Sequence, residues 1–170
     1  VEGTSDIGVG NDFRRIGLIR NPTNFGTTTV ATATTRRQLY AAVFSSVSGT
    51  FTADEEINQA STGAVGKVVE YDATNKLLYW YQTRFPDVGT DSDGNLTAFS
   101  GANAITGQSS SASATPNTSS STDVNGVSIT SGYSNPELAY DSGDIIYVEE
   151  RSPITRASDQ TENIKLIIEF

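Results

Sequence analysis

The chain has 170 residues and a formal net charge of −9, with a pI near 4.3. An acidic surface repels phosphate backbones, which disfavours nucleic-acid binding. Cysteine and histidine are both absent, which excludes disulfides and thiolate catalysis and removes the usual general base and the commonest metal ligand.

The length fits one domain, or one domain carrying a sizeable insertion. Only 36 % of residues are hydrophobic and mean hydropathy is −0.30, so apolar residues must be used economically, in patterned strands. Ser, Thr, Gly and Asn dominate the rest, as suits strands joined by many turns. No stretch approaches the ~20 apolar residues that span a bilayer. The opening Val1-Glu2-Gly3-Thr4-Ser5-Asp6 is acidic and polar, unlike a signal peptide. A soluble protein with no membrane partner is expected. Methionine is absent, position 1 included, which predicts a processed or truncated product.

In chain order, Val1 to Asn11 is a Gly-rich leading segment. Phe13 to Ile19 reads as a strand, ended by Asn21-Pro22, because proline donates nothing to a ladder and biases its predecessor away from helix. Three arginines lie in this block, either as solvated charge or paired with Glu149 or Glu150 on a neighbouring strand. Thr27 to Thr35 is an edge strand or an extended linker, and Leu39 to Phe44 is a firmer strand. Val65 to Asp72 and Leu77 to Thr83 form a hairpin across Asp72-Ala73-Thr74-Asn75-Lys76. Its second limb, Leu77-Leu78-Tyr79-Trp80-Tyr81, is apolar on both faces, as expected of a central strand covered on both sides.

A weak repeat links Ile57-Asn58-Gln59-Ala60-Ser61-Thr62-Gly63-Ala64 with Ile105-Thr106-Gly107-Gln108-Ser109-Ser110-Ser111-Ala112. Duplicated hairpins or shared turn composition explain it equally well. Ser109 to Ser121 is low-complexity Ser/Thr/Ala, expected to be a mobile surface loop. Val124 to Ile129 offers a short strand. Asp144 to Glu150 offers another, opened by the turn pair Ser142-Gly143. In Ile164 to Phe170, Ile164, Leu166, Ile168 and Phe170 share one face, the period of a half-buried strand. The patterning predicts an all-β chain of antiparallel sandwich layers, with the Phe13 and Ile164 strands in one sheet and at most a helical turn at Ser158 to Glu162.

Chemistry has few footholds. Asp91-Ser92-Asp93-Gly94-Asn95 has Gly at the fourth position rather than the sixth of a calcium loop, with no glutamate at the twelfth, and a hairpin turn explains it. Asp54-Glu55-Glu56 could supply two carboxylates for acid–base work, but neighbours on a strand point apart and so short a charge run is normally a solvated loop. The glycines lack the strand–loop–helix setting of a nucleotide site. A serine nucleophile without histidine would need a lysine base in a shaped pocket, and Lys67, Lys76 and Lys165 all lie in strand or turn contexts. No catalysis, cofactor or metal is expected. Tyr79, Trp80 and Tyr81 are candidate interface aromatics, with a buried core as the commoner fate of such residues.

Two blocks carry a family resemblance. The first is Gly143-Asp144-Ile145-Ile146-Tyr147-Val148-Glu149-Glu150-Arg151-Ser152-Pro153-Ile154, followed by Asp159-Gln160-Thr161-Glu162 and the apolar strand to Phe170. The second is Asp12-Phe13-Arg14-Arg15-Ile16-Gly17-Leu18-Ile19-Arg20-Asn21-Pro22. Together they cover about a quarter of the chain. They resemble the C-terminal end of the dimeric baseplate wedge subunit of T-even-type contractile-tailed bacteriophages, whose N-terminal half has no counterpart here.

The resemblance implies framework strands at 1–22 and 142–170, with 23–141 as an inserted small β module carrying the Ser/Thr-rich loop at 109–121. The whole is then an antiparallel β-sandwich framework with an insertion. It implies a structural virion protein of the tail baseplate, assembled in the host cytoplasm. Its partners would be other wedge subunits and, in the full-length parent, a second copy in a homodimer. The residues matching the family pattern are Phe13, Arg14, Ile16, Asn21, Pro22, Gly143, Ile146, Tyr147, Glu149, Arg151, Pro153, Ile154, Asp159, Gln160, Thr161, Glu162 and Phe170. Arg151 and Arg156, near Glu149, Asp159 and Glu162, are expected to form an internal charge network. A rival reading is a host-surface or carbohydrate-binding module using Trp80 and its tyrosine neighbours.

Overall fold

Runs of β-branched and aromatic residues become strands in the computed structural model, which describes residues 14–32, 37–83, 89–139 and 142–151. The chain is all-β: every strand pairing is antiparallel, and no helix occurs among the described residues. It divides into two compact units, Asn21–Ser142 and the pair of end segments Val1–Arg20 with Gly143–Phe170.

In the end-segment unit, strand β1 (Arg14–Arg20) pairs with the last described strand, β9 (Asp144–Arg151), as a two-stranded ribbon. The register sets Arg14 against Arg151, Ile16 against Glu149 and Leu18 against Tyr147, then slips between Leu18 and Ile19, so that Ile146 has no partner of its own. Asn21 at φ 52° turns the chain out of β1 and Gly143 at φ 87° turns it into β9. Glycine and asparagine are the residues that reach this left-handed region at least cost. Phe13, the expected strand Ile164–Phe170, the helical turn at 158–162 and the leading segment 1–11 lie outside the described residues.

Between those strands the chain builds a seven-stranded sheet. Its members are β2 (Tyr40–Val43), β3 (Glu56–Gln59), β4 (Ala64–Asp72), β5 (Leu77–Tyr81), β6 (Ile105–Gly107), β7 (Ser113–Ala114) and β8 (Tyr133–Ser134). The order across the sheet is β7-β6-β3-β4-β5-β2-β8. Both edge strands have two residues, a length that offers little ladder to a stray strand. The β4–β5 hairpin forms where expected. Asp72 Oδ1 accepts the Thr74 and Asn75 backbone N–H groups at 2.9 and 3.0 Å, and Lys76 closes the turn at φ 52°.

Successive residues of β2 and β5 go to opposite faces, and each face has its own core. Ala42, Leu78 and Trp80 join Phe44, Phe51, Ile57, Val68, Phe99 and Ile105 on one side; Ala41, Val43 and Leu77 meet Val127 and Ile129 on the other. β5 is therefore central and covered on both sides. The two repeated segments are adjacent antiparallel strands, Ile57 opposite Gly107, and both isoleucines are fully buried.

Three expectations need correction. Ser109 to Ser121 contributes only Ser113–Ala114 as a strand but is pinned to the sheet around it: Ser113 and Ser48 exchange backbone hydrogen bonds at 2.9 Å, Asn117 N–H donates to Val43 O at 2.8 Å, and Ala112 and Ala114 are buried. Alanine is small enough to let this segment lie close over the core, so low complexity here reflects close packing. Val124 to Ile129 is broken by a tight turn at Asn125-Gly126, with φ of 50° and 77° and reciprocal Val124–Val127 hydrogen bonds. Of Thr27 to Thr35, the described part is a turn closed by Asn24 N–H to Thr29 O at 2.9 Å.

Candidate assembly surface and buried polar nodes

The ribbon shows apolar side chains on both faces. Gly17 and Val148 pair on the face opposite to that of Leu18 and Tyr147, and Ile19 faces Ile145 beyond the slip. Leu18, Ile19, Ile145, Ile146, Tyr147 and Val148 are 48 to 69 % exposed, whereas the large apolar residues of the sheet are mostly buried. Strands apolar on both faces normally lie between two layers, and a contiguous exposed apolar patch marks an interaction site. Charge adds little here. Arg20 Nη2 meets Asp144 Oδ2 at 3.2 Å, but both side chains are about two-thirds exposed, and such pairs contribute roughly 0–1 kcal/mol. Tyr147 O–H donates to Glu149 Oε2 at 3.0 Å along the same face of β9.

The seven-stranded unit holds two buried polar side chains that tie its loops together. Glu55 is 4 % exposed, which corrects the solvated-loop expectation for Asp54-Glu55-Glu56. Its carboxylate accepts from Thr52 N–H at 2.7 Å, Ser110 N–H at 2.9 Å, Ser109 N–H at 3.2 Å and Ser110 Oγ–H at 2.8 Å. Burial pushes its pKa up, but the donors from Ser110, Thr52 and Ser109 outweigh burial and hold it below the ordinary carboxylate value. Gly107 makes the room: a Cβ there would lie 2.6 Å from both Glu55 Oε2 and Ser110 Oγ. Gln59, fully buried in β3, donates to Asn103 O and Tyr133 Oη, and accepts from Thr62 Oγ–H and Ser100 N–H. All four of its hydrogen-bonding positions are thereby filled.

Neither node resembles a reactive centre. Glu55 is enclosed by donors and faces no second carboxylate, and Gln59 does not titrate. At Asp91-Ser92-Asp93-Gly94-Asn95, Asp91 Oδ1 accepts the N–H groups of Asp93 and Asn95 at 2.9 Å each and Gly94 sits at φ 76°, a side-chain-braced turn. Trp80 is 1 % exposed, with Tyr40 stacked at 5.9 Å and Phe99 edge-on at 5.1 Å. Gly66 admits the indole: a Cβ there would come within 2.7 Å of its Cδ1. No ring face of Trp80 is left for a sugar or a partner, while Tyr79 and Tyr81 are half-buried.

A family model described as Bacteriophage T4, Gp8 matches residues 84–170, just over half of the chain. The chain belongs to the phage Gp8 family. It is thus a structural protein of the phage tail baseplate, within the virion. No curated protein and no solved structure matches it. The match begins inside the Asn21–Ser142 unit and runs through β9 to Phe170, so it takes in the second half of the seven-stranded unit as well as the C-terminal block.

Of the residues singled out for the Gp8 pattern, the ribbon brings Arg14 level with Arg151 and Ile16 level with Glu149, and it carries Ile146 and Tyr147 exposed on β9. Asn21, Pro22 and Gly143 flank it as turn residues. Phe13, Pro153, Ile154, Asp159, Gln160, Thr161, Glu162 and Phe170 lie outside the described residues, as does most of the expected Arg151–Glu162 charge network. Tyr79, Trp80 and Tyr81 belong to β5 in the other unit. Sequence reading passed over Leu18, Ile19, Ile145 and Val148 as surface candidates, because periodicity alone does not distinguish a covered face from an uncovered one.

Proposed function

We propose that this Gp8-family chain acts in the baseplate by assembly, with the β1–β9 ribbon as its contact element. The observation that carries the reading is the exposure of Leu18, Ile19, Ile145, Ile146 and Val148 on the two faces of one ribbon. Moving these five half-exposed side chains and that of Tyr147 out of water is worth roughly 5–9 kcal/mol. That is enough to offset much of the cost of fixing two subunits together. The partners are neighbouring wedge subunits and, in the full-length parent, a second copy of the chain, assembled in the host cytoplasm.

In this reading the Asn21–Ser142 unit is a module set between β1 and β9. In support, its two ends are hydrogen-bonded to each other, Thr23 N–H to Ser142 Oγ at 3.0 Å and Ala139 N–H to Thr23 O at 2.9 Å. Closely spaced termini suit insertion into another framework. The family-pattern residues of β1 and β9 then serve to build the ribbon. The rival reading, glycan recognition through Trp80 and its neighbours, lacks its central ring because Trp80 is buried.

Co-expression with the other baseplate wedge proteins tests the proposal. Ile146→Asp and Val148→Asp are expected to abolish co-purification while the fluorescence of Trp80, the sole tryptophan, reports an unchanged seven-stranded unit. Co-purification that survives both substitutions would overturn the ribbon as contact element.

A further inference from the structure

The Asn125-Gly126 turn joins a reactive pair of residues to a structural tie. Asn125 is the only asparagine in the chain that precedes a glycine. Both residues are exposed, a Cβ at Gly126 would meet nothing within 4 Å, and among the described residues nothing accepts the Gly126 N–H. The Asp93-Gly94 pair differs, since its Gly94 N–H donates to Asp91 O at 3.1 Å. Asn125 Nδ2 donates to Asp72 Oδ2 at 3.3 Å, which ties this turn to that of the β4–β5 hairpin. Behind the turn, Val124 and Val127 pack with Leu77 in the second core.

We propose that Asn125 is a site of spontaneous covalent modification, and that its product opens this turn. The Gly126 nitrogen, its proton passed to hydroxide, attacks Asn125 Cγ. The Cγ–Nδ2 bond breaks, the amine takes a proton from water and leaves as ammonia, and a five-membered succinimide remains. Water then opens the ring at either carbonyl, giving aspartate or isoaspartate, with no oxidant or cofactor. Glycine suits the attack because it sets no side chain beside the nucleophile. Either product places a carboxylate where a donor faced Asp72, whose own carboxyl is held below its ordinary pKa by hydrogen bonds, that of the Asn75 side chain foremost. Attraction thereby becomes like-charge repulsion. Isoaspartate also adds a backbone carbon, which a two-residue turn cannot absorb.

In the folded chain the attack requires Asn125 to rotate out of the turn, breaking the two Val124–Val127 hydrogen bonds of 2.9 Å. At the net worth of two hydrogen bonds, folding should slow conversion about 5- to 150-fold relative to the unfolded chain. The site lies in the seven-stranded unit, so this inference stands apart from the assembly reading and can fail separately.

The test is peptide mapping by mass spectrometry, with enzymatic detection of isoaspartate, on the full chain incubated at pH 7 and pH 9 with and without guanidinium chloride. Asn75 is the internal control: it is exposed and also donates to Asp72 Oδ2, at 2.6 Å, but precedes Lys76. Asn125 should convert, faster at pH 9, while Asn75 stays intact. Asn125→Asp carries the charge of the product. It should speed amide hydrogen exchange at Val124 and Val127 about two- to tenfold, the worth of one hydrogen bond, with Trp80 emission unchanged. Slowing by the fold outside the stated range, conversion of Asn75 in step with Asn125, or unchanged exchange in Asn125→Asp would each overturn the inference.

Discussion

Replacing Glu55 offers the sharpest test of how the seven-stranded unit is held together. Glu55→Ala removes the acceptor of four hydrogen bonds and leaves the N–H groups of Thr52, Ser109 and Ser110 facing a buried space. A hydrogen bond to a charged group is worth about 1.5–3 kcal/mol. The four are not additive, because one carboxylate serves all of them and water can enter in its place. A loss of about 3–5 kcal/mol is expected, at the upper end for point substitutions, which lowers the melting temperature by roughly 10–20 °C. Glu55→Gln keeps one acceptor oxygen but turns an amide N–H₂ toward donors, and should cost about 2–3 kcal/mol. The pKa of Glu55 is lower folded than unfolded, so its contribution is complete above the ordinary value of 4.5 and is lost as pH falls through the lowered folded value. The assay is urea unfolding followed by Trp80 fluorescence between pH 7 and pH 3. The parent should lose stability below about pH 4.5 more steeply than Glu55→Gln, which has no carboxylate to protonate at this position. A cost under about 1 kcal/mol for Glu55→Ala, or identical acid limbs for parent and Glu55→Gln, would refute the reasoning.

Gly107→Ala should cost about 2–3 kcal/mol by overpacking against the Glu55 carboxylate and Ser110 Oγ, and the Glu55 share of that cost should vanish when the substitution is made in a Glu55→Ala background. A double-mutant cycle by urea unfolding reads the coupling. Gln59→Leu leaves Asn103 O and Ser100 N–H without their partner, while the Thr62 hydroxyl keeps the backbone carbonyl of residue 59, and should destabilise by about 2–4 kcal/mol in the same assay. Trp80→Ala removes the ring between Tyr40 and Phe99 and should cost about 3–5 kcal/mol. The emission of Trp80 in the parent should be blue-shifted and resistant to acrylamide, as follows from its burial.

Much of the local structure was legible in the residues. The β4–β5 hairpin is marked by two β-rich runs around Asp72–Lys76, and the central place of β5 by an apolar run with no polar alternation, a pattern that only a strand covered on both faces can sustain. The extent of β1 was readable because Asn21-Pro22 ends it. The Asn125-Gly126 turn was also in plain view as a hairpin dipeptide, yet the apolar residues around it suggested a strand. The family was recognisable from the C-terminal block, whose polar linker is not something strand physics selects.

Other features depended on contacts between residues far apart in the chain. Asp54-Glu55-Glu56 reads as solvated charge, and the burial of Glu55 depends on Ser109 and Ser110 arriving from more than fifty residues away with their N–H groups aligned. The same meeting turns a low-complexity Ser/Thr/Ala stretch into part of the core, since its small side chains gain their packing only once β3 and β6 are paired. For Trp80, neighbouring aromatics in the sequence suggest either a platform or a core, and the choice falls to Gly66, Phe99 and Tyr40, which enclose the ring. By itself the sequence determined the all-β class, the hairpin and the family, because period, turn residues and motif spacing are local properties. The tertiary structure decided which faces are covered: the seven-stranded sheet encloses its aromatics, and the β1–β9 ribbon leaves Ile19, Ile145 and Ile146 in water. Burial is a property of what packs against a strand, and a strand's own alternation cannot contain it.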